Sequence, residues 1–181
     1  GELSPVREEF FQLELPDGAI VDGWMMFPPG FDPEAGKWPL LMHVYGEPAG
    51  TTVNDRWGSA SQLWHRLLAQ EGYVVASIDN RGTPAPKGRA WRKSVYGEIG
   101  VLASADQADA VLGLIETHPW IDSERVGIWG WSGGGSMTLN ALFRYPEIYS
   151  AGIAVAFVAD QRYYDTIYQE RFMNTPQANP E

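Results

Sequence analysis

Alternating apolar and polar residues at the beginning of the chain predict a β-hairpin. Two such runs, residues 8–15 (EEFFQLEL) and 19–27 (AIVDGWMMF), flank a turn with the sequence Pro-Asp-Gly. An Asp-Gly turn between two alternating runs is typical of two antiparallel strands. We therefore expect the fold to begin with a hairpin.

Four later runs are almost continuously apolar, which is typical of buried strands in a parallel sheet. They comprise residues 38–45, 73–79, 125–130 and 151–158. The segments between these runs have apolar residues at helical spacing. The first predicted helix ends at Gly72 and is indicated by Trp57, Leu63, Trp64, Leu67 and Leu68.

A long segment after residue 79 is expected to be an irregular loop. Ser104 and Gln107 then form the pattern of a capping box, which predicts the start of a second helix. Its expected apolar face consists of Ala108, Val111, Leu112 and Ile115. A third helix is predicted over residues 133–144, before Pro146.

Strands that alternate with helices after an initial hairpin indicate an α/β fold with a mostly parallel sheet. The 181 residues, of which 44% are apolar, suffice for one domain with a core. The net charge of −10 argues against a nucleic-acid or anionic-membrane partner. A short basic run, residues 81–93, is interpreted as a solvated loop.

Several classes of chemistry have no counterpart in the sequence. Cysteine is absent, which excludes a disulfide framework, a thiolate metal site and a cysteine nucleophile. We find no phosphate-binding loop, no dinucleotide-binding glycine motif and no metal-ligand spacing, so we expect no cofactor and no metal. No apolar run approaches the roughly 20 residues of a membrane span. Gly1 is not a natural start, and the cellular compartment is left open.

The segment Gly130-Trp131-Ser132-Gly133-Gly134 fits the G-x-S-x-G pattern of a nucleophile elbow. A predicted strand precedes it and a predicted helix follows, as the elbow requires. The alternative is a strand–helix turn with an incidental serine. In an elbow, the amide of Gly133 is one oxyanion-hole donor. Tyr45 could supply a second, although by itself it is more typical of a packing residue at a strand end.

Four segments in this order resemble the catalytic domain of the prolyl oligopeptidase family of serine peptidases, in particular its dipeptidyl peptidase IV branch. They are VYGEP (44–48), IDNRGTPAPKG (78–88), RVGIWGWSGGGS (125–136) and YYDTIYQERFM (163–173). The resemblance implies an α/β-hydrolase fold and cleavage of peptides after proline or alanine near a free amino terminus.

The resemblance also implies roles for individual residues. Ser132 becomes the acylated nucleophile, and Tyr45 joins the Gly133 amide in the oxyanion hole. The pocket for the residue before the scissile bond is then formed by Tyr164, Tyr168 and Val158, and we include Trp131 among the substrate-binding residues. Tyr164 and Tyr168 are four positions apart, which predicts that they share one face of a helix.

The sequence departs from the family pattern at four positions. Glu47 stands where glycine is usual, Gly133 replaces a tyrosine, Gln161 a tryptophan and Phe157 a proline. Two of these changes remove aromatic walls from the pocket, so we do not expect a strict preference for proline. A carboxylate at position 47 would oppose negative charge in the oxyanion hole unless it is turned away.

No histidine follows Ser132, although the triad of this fold runs in the order Ser, acid, His. His43, His65 and His118 all precede the serine, and we expect them to be structural. Asp160 and Asp165 follow it, but in the family the catalytic acid comes considerably later. The resemblance therefore implies the front part of a catalytic domain, between a β-propeller and the strands that carry acid and histidine.

Three functions remain open at this point. The chain could be a serine peptidase that is completed by another segment, a catalytically silent association module, or an esterase for small substrates. Without a base, a triad enzyme retains only a residual rate of roughly 10³–10⁴ over water. An open sheet edge would favour a homo-oligomer or a complementing chain.

Overall fold

The computed structural model describes residues 5–57 and 59–180, so Gly1 lies outside the described residues. The strands are β1 (Arg7–Glu14), β2 (Ile20–Phe27), β3 (Trp38–His43), β4 (Val74–Asp79), β5 (Ile121–Trp131) and β6 (Ala151–Val155). The helices are α1 (Ala60–Gln70), α2 (Gly88–Lys93), α3 (Val101–Thr117), α4 (Gly133–Arg144) and α5 (Thr166–Met173), with a 3₁₀ turn at Gln161–Tyr163.

The strands form one sheet in the order β1-β2-β4-β3-β5-β6. β1 and β2 make the predicted hairpin, in which Leu15 donates its amide to the carbonyl of Ala19 at 2.8 Å and Gly18 has φ +85°. β2 also runs antiparallel to β4, whereas β4, β3, β5 and β6 are mutually parallel. The prediction of a mostly parallel sheet after a hairpin is confirmed.

Burial differs among the apolar strands. All six residues of β4 are buried, as predicted, because β4 lies in the interior of the sheet. β3 was predicted to be buried on both faces, and this is wrong for one of them. Leu40 and Met42 are buried, whereas Leu41 and His43 on the other face are only half-buried. β6 ends at Val155 and its first three residues are exposed, because it is the last strand of the sheet.

Two hydrophobic clusters lie on opposite faces of the sheet. Alternate residues of β4 enter different clusters: Val74 and Ala76 join the larger one, and Val75 joins the smaller one. The larger cluster includes residues of α3 and α4. In the smaller cluster, Ala69 of α1 packs with Trp24 of β2.

The three predicted helices are present as α1, α3 and α4, and the structure adds α2 and α5. α4 has the predicted bounds. α1 packs through His65 and Ala69, and the apolar residues that predicted it, including Trp64 and Leu67, are largely exposed. α2 lies in the segment predicted to be an irregular loop. In the basic run 81–93, Arg89, Arg92 and Lys93 are exposed, as predicted, but the prediction of a solvated run is wrong for Arg81, which forms an ion pair with the buried Asp106 at 2.6 Å.

The capping box predicted at Ser104 is wrong. α3 begins earlier, at Val101, after Gly100 with φ +96°. Ser104 and Gln107 therefore lie inside the helix and are buried; Gln107 donates to Asn80 Oδ1 at 2.9 Å. The expected apolar face is also shifted, because Leu112 is exposed and Leu114 is buried instead. No helix within residues 5–57 and 59–180 is long and apolar enough to cross a membrane.

Candidate active site

Ser132 lies between β5 and α4 at the carboxyl end of the parallel strands, where α/β sheets bind their ligands. Its backbone has φ 58° and ψ −118°, a conformation that residues with a side chain rarely adopt. The amide of Ser132 donates to the carbonyl of Val155 at 2.9 Å, and its carbonyl accepts from Ser136 N at 3.1 Å. Hydrogen bonds on both sides hold the serine in this strained turn.

The glycines around Ser132 are required by close backbone contacts. A Cβ atom at Gly130 would lie 2.3 Å from the carbonyl oxygen of Gly134, and one at Gly134 would lie 2.1 Å from the carbonyl oxygen of Val44. Neither oxygen can move without displacing a strand or a helix. The pattern G-x-S-x-G therefore has a steric cause in this fold.

Gly133 is the first residue of α4, so its amide has no acceptor within the helix. Such amides, together with the helix dipole, favour negative charge at a helix amino terminus. The amide directly follows Ser132 in the chain. This end of α4 can therefore stabilise an oxyanion that forms on a group bonded to the serine.

The loop after β3, which carries Tyr45 and Glu47, is held by two polar residues at the end of β4. Asp79 accepts from the amides of Thr52 at 2.7 Å and Val53 at 3.2 Å. Asn80 donates to the carbonyl of Gly46 at 2.9 Å. The loop is thereby fixed relative to the sheet.

Tyr45 lies two residues after the end of β3, and its backbone lies against the elbow: its Cα would be 3.2 Å from a Cβ at Gly134. The ring packs on Gly50 and is about half-buried. Burial, and then the charges of Glu47 and Tyr164, raise the pKa of Tyr45 above its usual value. The phenol therefore stays protonated at neutral pH and can donate a hydrogen bond.

Glu47 is 5% exposed and faces the elbow. Tyr168 donates its hydroxyl to Oε2 of Glu47 at 2.6 Å, and a Cβ at Gly133 would lie 2.7 Å from both Cδ and Oε2. Burial raises the pKa of Glu47, while the hydrogen bond from Tyr168 acts in the opposite direction. The carboxyl group thus occupies the space beside the residue that follows the serine.

Tyr164 and Tyr168 contact each other, but not as neighbours on a helix. Asp165 caps α5 by accepting from the amide of Tyr168 at 2.8 Å, so Tyr164 precedes the helix in an extended conformation. The prediction that both lie on one helix face is wrong for this reason. Their rings nevertheless meet edge to face, with centroids 5.4 Å apart.

Val158 is brought to the same end of the sheet by the chain that follows β6. Its amide donates to Oγ of Ser136, in the first turn of α4, at 2.9 Å. Trp131 lies directly before the serine, and its side chain is 62% exposed. The structure thus places Tyr45, Glu47, Gly133 and Val158 around the elbow, with Trp131 at its surface.

The three histidines lie in aromatic clusters. His43 and His65 pack against each other, with ring centroids 4.6 Å apart, and both contact Trp129. His118 packs edge to face on Trp120 and contacts the carbonyl of Leu114 through Nδ1. Within the described residues, none of them is hydrogen-bonded to Ser132.

The sequence patterns did not identify the buried polar residues that support the site. Asp79, Asn80 and Ser136 are buried, and each fixes a loop that follows a strand. A polar residue directly after an apolar run was the available signal for Asp79 and Asn80. No group of three or more histidine, aspartate or glutamate side chains in the described part of the chain could hold a metal ion.

Comparison with known proteins identifies the family. The profile of the prolyl oligopeptidase family matches residues 60–181. The chain is 37% identical to a probable dipeptidyl peptidase 4 of Aspergillus flavus and 43% identical to a probable dipeptidyl-aminopeptidase B of Emericella nidulans. Each alignment covers 95% of this chain, but only 22% and 18% of the respective relative.

Solved structures agree with this result. The dipeptidyl peptidase 4 of Porphyromonas gingivalis superimposes with a TM-score of 0.88 at 43% identity, over 96% of this chain and 24% of that one. A putative dipeptidyl aminopeptidase IV of Bacteroides ovatus gives 0.90 at 36% identity, over 97% and 25%. The chain spans about a quarter of these proteins or less. It has the α/β-hydrolase fold and belongs to the prolyl oligopeptidase family.

Proposed function

We propose that this chain carries the nucleophile and the oxyanion hole of a serine peptidase. The observation that carries the proposal is the strained Ser132, held on the elbow beside the Gly133 amide at the start of α4. Ser132 is half-buried rather than enclosed, and a serine held on such a turn is the arrangement that acyl transfer needs.

In the proposed reaction, Oγ of Ser132 forms a bond to the carbonyl carbon of the scissile peptide while its proton passes to a base. The carbonyl oxygen becomes an oxyanion, which accepts hydrogen bonds from the Gly133 amide and the Tyr45 hydroxyl. The carbon–nitrogen bond then breaks, and the leaving amine takes the proton. In the second half of the reaction, a water oxygen bonds to the acyl carbon while the base takes a proton from the water, and the bond to Oγ of Ser132 breaks as that oxygen regains a proton.

The residue before the scissile bond is proposed to lie among Tyr164, Tyr168 and Val158, next to Trp131. The edge-to-face contact of the two tyrosine rings supports this, because it offers aromatic surface close to Glu47 and the elbow. The names of the relatives, dipeptidyl peptidases and a dipeptidyl-aminopeptidase, suggest removal of dipeptides from an amino terminus.

The base is proposed to come from outside these 181 residues. All three histidines precede Ser132 and pack in aromatic clusters. A histidine on a further segment or on a second chain would complete the site. By itself, the chain is expected to show only the residual activity of an oxyanion hole.

Covalent labelling tests the proposal. The protein is treated with a fluorophosphonate, and its intact mass is measured before and after, with Ser132→Ala as the control. A single adduct that maps to Ser132 and is lost in the variant shows an activated nucleophile. If the folded protein gains no adduct even when the histidine-bearing segment of a relative is added, the peptidase proposal is wrong.

A second candidate function is association through the open edge of the sheet. β6 is the last strand, and Ile153 within it is 56% exposed. Exposed edges of this kind can pair with another strand, either of a second copy or of a complementing chain. Analytical ultracentrifugation of the protein and of an Ile153→Lys variant tests this, since a charged edge residue should shift the equilibrium to the monomer.

A further inference from the structure

Glu47 is a buried carboxylate that the proposed reaction does not use. Only Oε2 has a hydrogen-bond partner among the described residues, the hydroxyl of Tyr168 at 2.6 Å. Oε1 has no such partner, and it is not among the side-chain atoms that are fully shielded from solvent. A second hydrogen-bond donor can therefore still reach the carboxylate.

The position of this carboxylate is defined by the residue after the nucleophile. Cδ of Glu47 lies 2.7 Å from the place of a Cβ at Gly133. The side chain of the residue before the scissile bond branches one bond away from the carbon that Ser132 attacks. Groups that touch Gly133 are therefore within reach of that side chain.

The surroundings of Glu47 suit a long side chain that ends in a cation. The rings of Tyr164 and Tyr168 meet beside it and can pack on an alkyl stem, as lysine and arginine stems do on apolar surfaces. An ammonium or guanidinium group at the end of that stem would then bind Oε1. Such charge-assisted hydrogen bonds are among the strongest that proteins form.

A cation at this place would also remove an electrostatic obstacle. The carboxylate is close to the Gly133 amide, which is the proposed oxyanion donor, and unpaired negative charge there opposes oxyanion formation. Pairing with a substrate cation neutralises this charge when the reaction needs it. An apolar residue such as proline would leave the carboxylate unpaired.

We propose that Glu47 selects substrates with lysine or arginine immediately before the scissile bond. This inference rests on the proposed function, because that function makes the space beside Glu47 the pocket for the residue before the scissile bond. Binding of a cation to Glu47, however, does not require Ser132 to be reactive. The cation that Glu47 is proposed to bind belongs to the side chain of the substrate and not to its free amino terminus. Three probes separate these sources.

The probes are Nα-acetyl-lysinamide, Nα-acetyl-norleucinamide, and alanyl-norleucinamide, which has a free amino group but an apolar side chain. Each is titrated into the isotopically labelled protein, and dissociation constants are obtained from the amide shifts of Gly133 and Tyr168. The lysine probe should bind about tenfold or more tightly than its norleucine analogue, because the two differ only in the ammonium group. Glu47→Gln should abolish the difference.

A matched control is Glu170→Gln, which removes the same charge from an exposed position on α5. It should keep the preference for lysine. Equal binding of the two acetylated probes, a preference that survives Glu47→Gln, or tighter binding of alanyl-norleucinamide than of the lysine probe would each overturn the inference. Fluorophosphonate labelling of Ser132 is scored separately, so a failure of the peptidase proposal does not affect this result.

Discussion

Glu47 and Gly133 occupy one space: the carboxyl carbon of Glu47 lies 2.7 Å from the position where a side chain on Gly133 would begin. Either position can carry a large side chain, but not both. The family that this chain resembles has the opposite arrangement, with glycine at the first position and tyrosine at the second. The contact between Glu47 and Gly133 thus explains why the chain departs from the family pattern at both of these positions.

This contact predicts that substitutions at the two positions are coupled. Gly133→Ala should destabilise the protein by about 1–3 kcal/mol, because the new methyl group overpacks against Glu47. In the background Glu47→Gly, the same substitution should cost much less. Urea unfolding of all four proteins gives the interaction energy in a double-mutant cycle. Additive effects would show that the side chain of Glu47 moves aside at no cost.

Gly134→Ala should be far more damaging than an ordinary glycine substitution. Its Cβ would lie 2.1 Å from the carbonyl oxygen of Val44, and neither backbone segment can retreat. We expect a loss of about 3 kcal/mol or more in unfolding free energy, at or above the upper end of overpacking costs. The matched control is Gly113→Ala in α3, where the three atoms nearest to the new Cβ all belong to the side chain of Leu13, the closest of them at 3.3 Å. The control should change stability by about 1 kcal/mol or less. Equal effects at both positions would contradict the steric explanation of the motif.

The strain at Ser132 predicts an order of stabilities. With φ 58° and ψ −118°, any residue with a Cβ is strained here, whereas glycine is not. Ser132→Gly should therefore be more stable than Ser132→Ala by about 1 kcal/mol. This difference is what remains of the relief of strain after the larger conformational entropy that glycine loses on folding is subtracted. Both variants lack the hydroxyl, so thermal or urea unfolding compares the backbone effect alone. If the alanine variant is the more stable one, the turn is not strained.

His43 and His65 predict loss of stability in acid. Burial lowers the pKa of His43 from 6.5 to about 4 and that of His65 to about 3, with the neighbouring His43 as a second cause for His65. The unfolded chain binds more protons than the folded one in this range, so stability rises with pH. The contribution of the neutral histidines to stability is complete above pH 6.5, and it is lost as the pH falls to about 4 for His43 and to about 3 for His65.

Replacement of one histidine isolates this contribution from that of the carboxylates. His65→Phe keeps a ring against Trp24, whose centroid is 5.1 Å away, but has no group that titrates. Its melting temperature should fall less steeply than that of the unchanged protein between pH 6.5 and about 4. Identical slopes would show that the histidines do not govern the acid sensitivity.

The sequence alone determined the initial hairpin and the alternation of β3 to β6 with α1, α3 and α4. Its apolar runs are long enough to mark each strand of the parallel part, and the bounds of α4 follow from the elbow glycines and Pro146. Local signals were misleading where tertiary contacts compete with them. Ser104 and Gln107 have the spacing of a cap, but Gln107 is held by Asn80 from the end of β4, and α3 begins earlier.

The chemical environment of the candidate site was decided by the tertiary structure. The sequence marks Ser132 and the unusual Glu47, because local patterns and a family resemblance identify single positions. It does not show that Glu47 binds Tyr168, which is 121 positions away in the chain. Nor does it show that Gly133 leaves room for the carboxylate. Contacts between loops after different strands depend on strand order and on anchors such as Asp79 and Asn80. Such contacts appear only when the sheet brings the ends of its strands together.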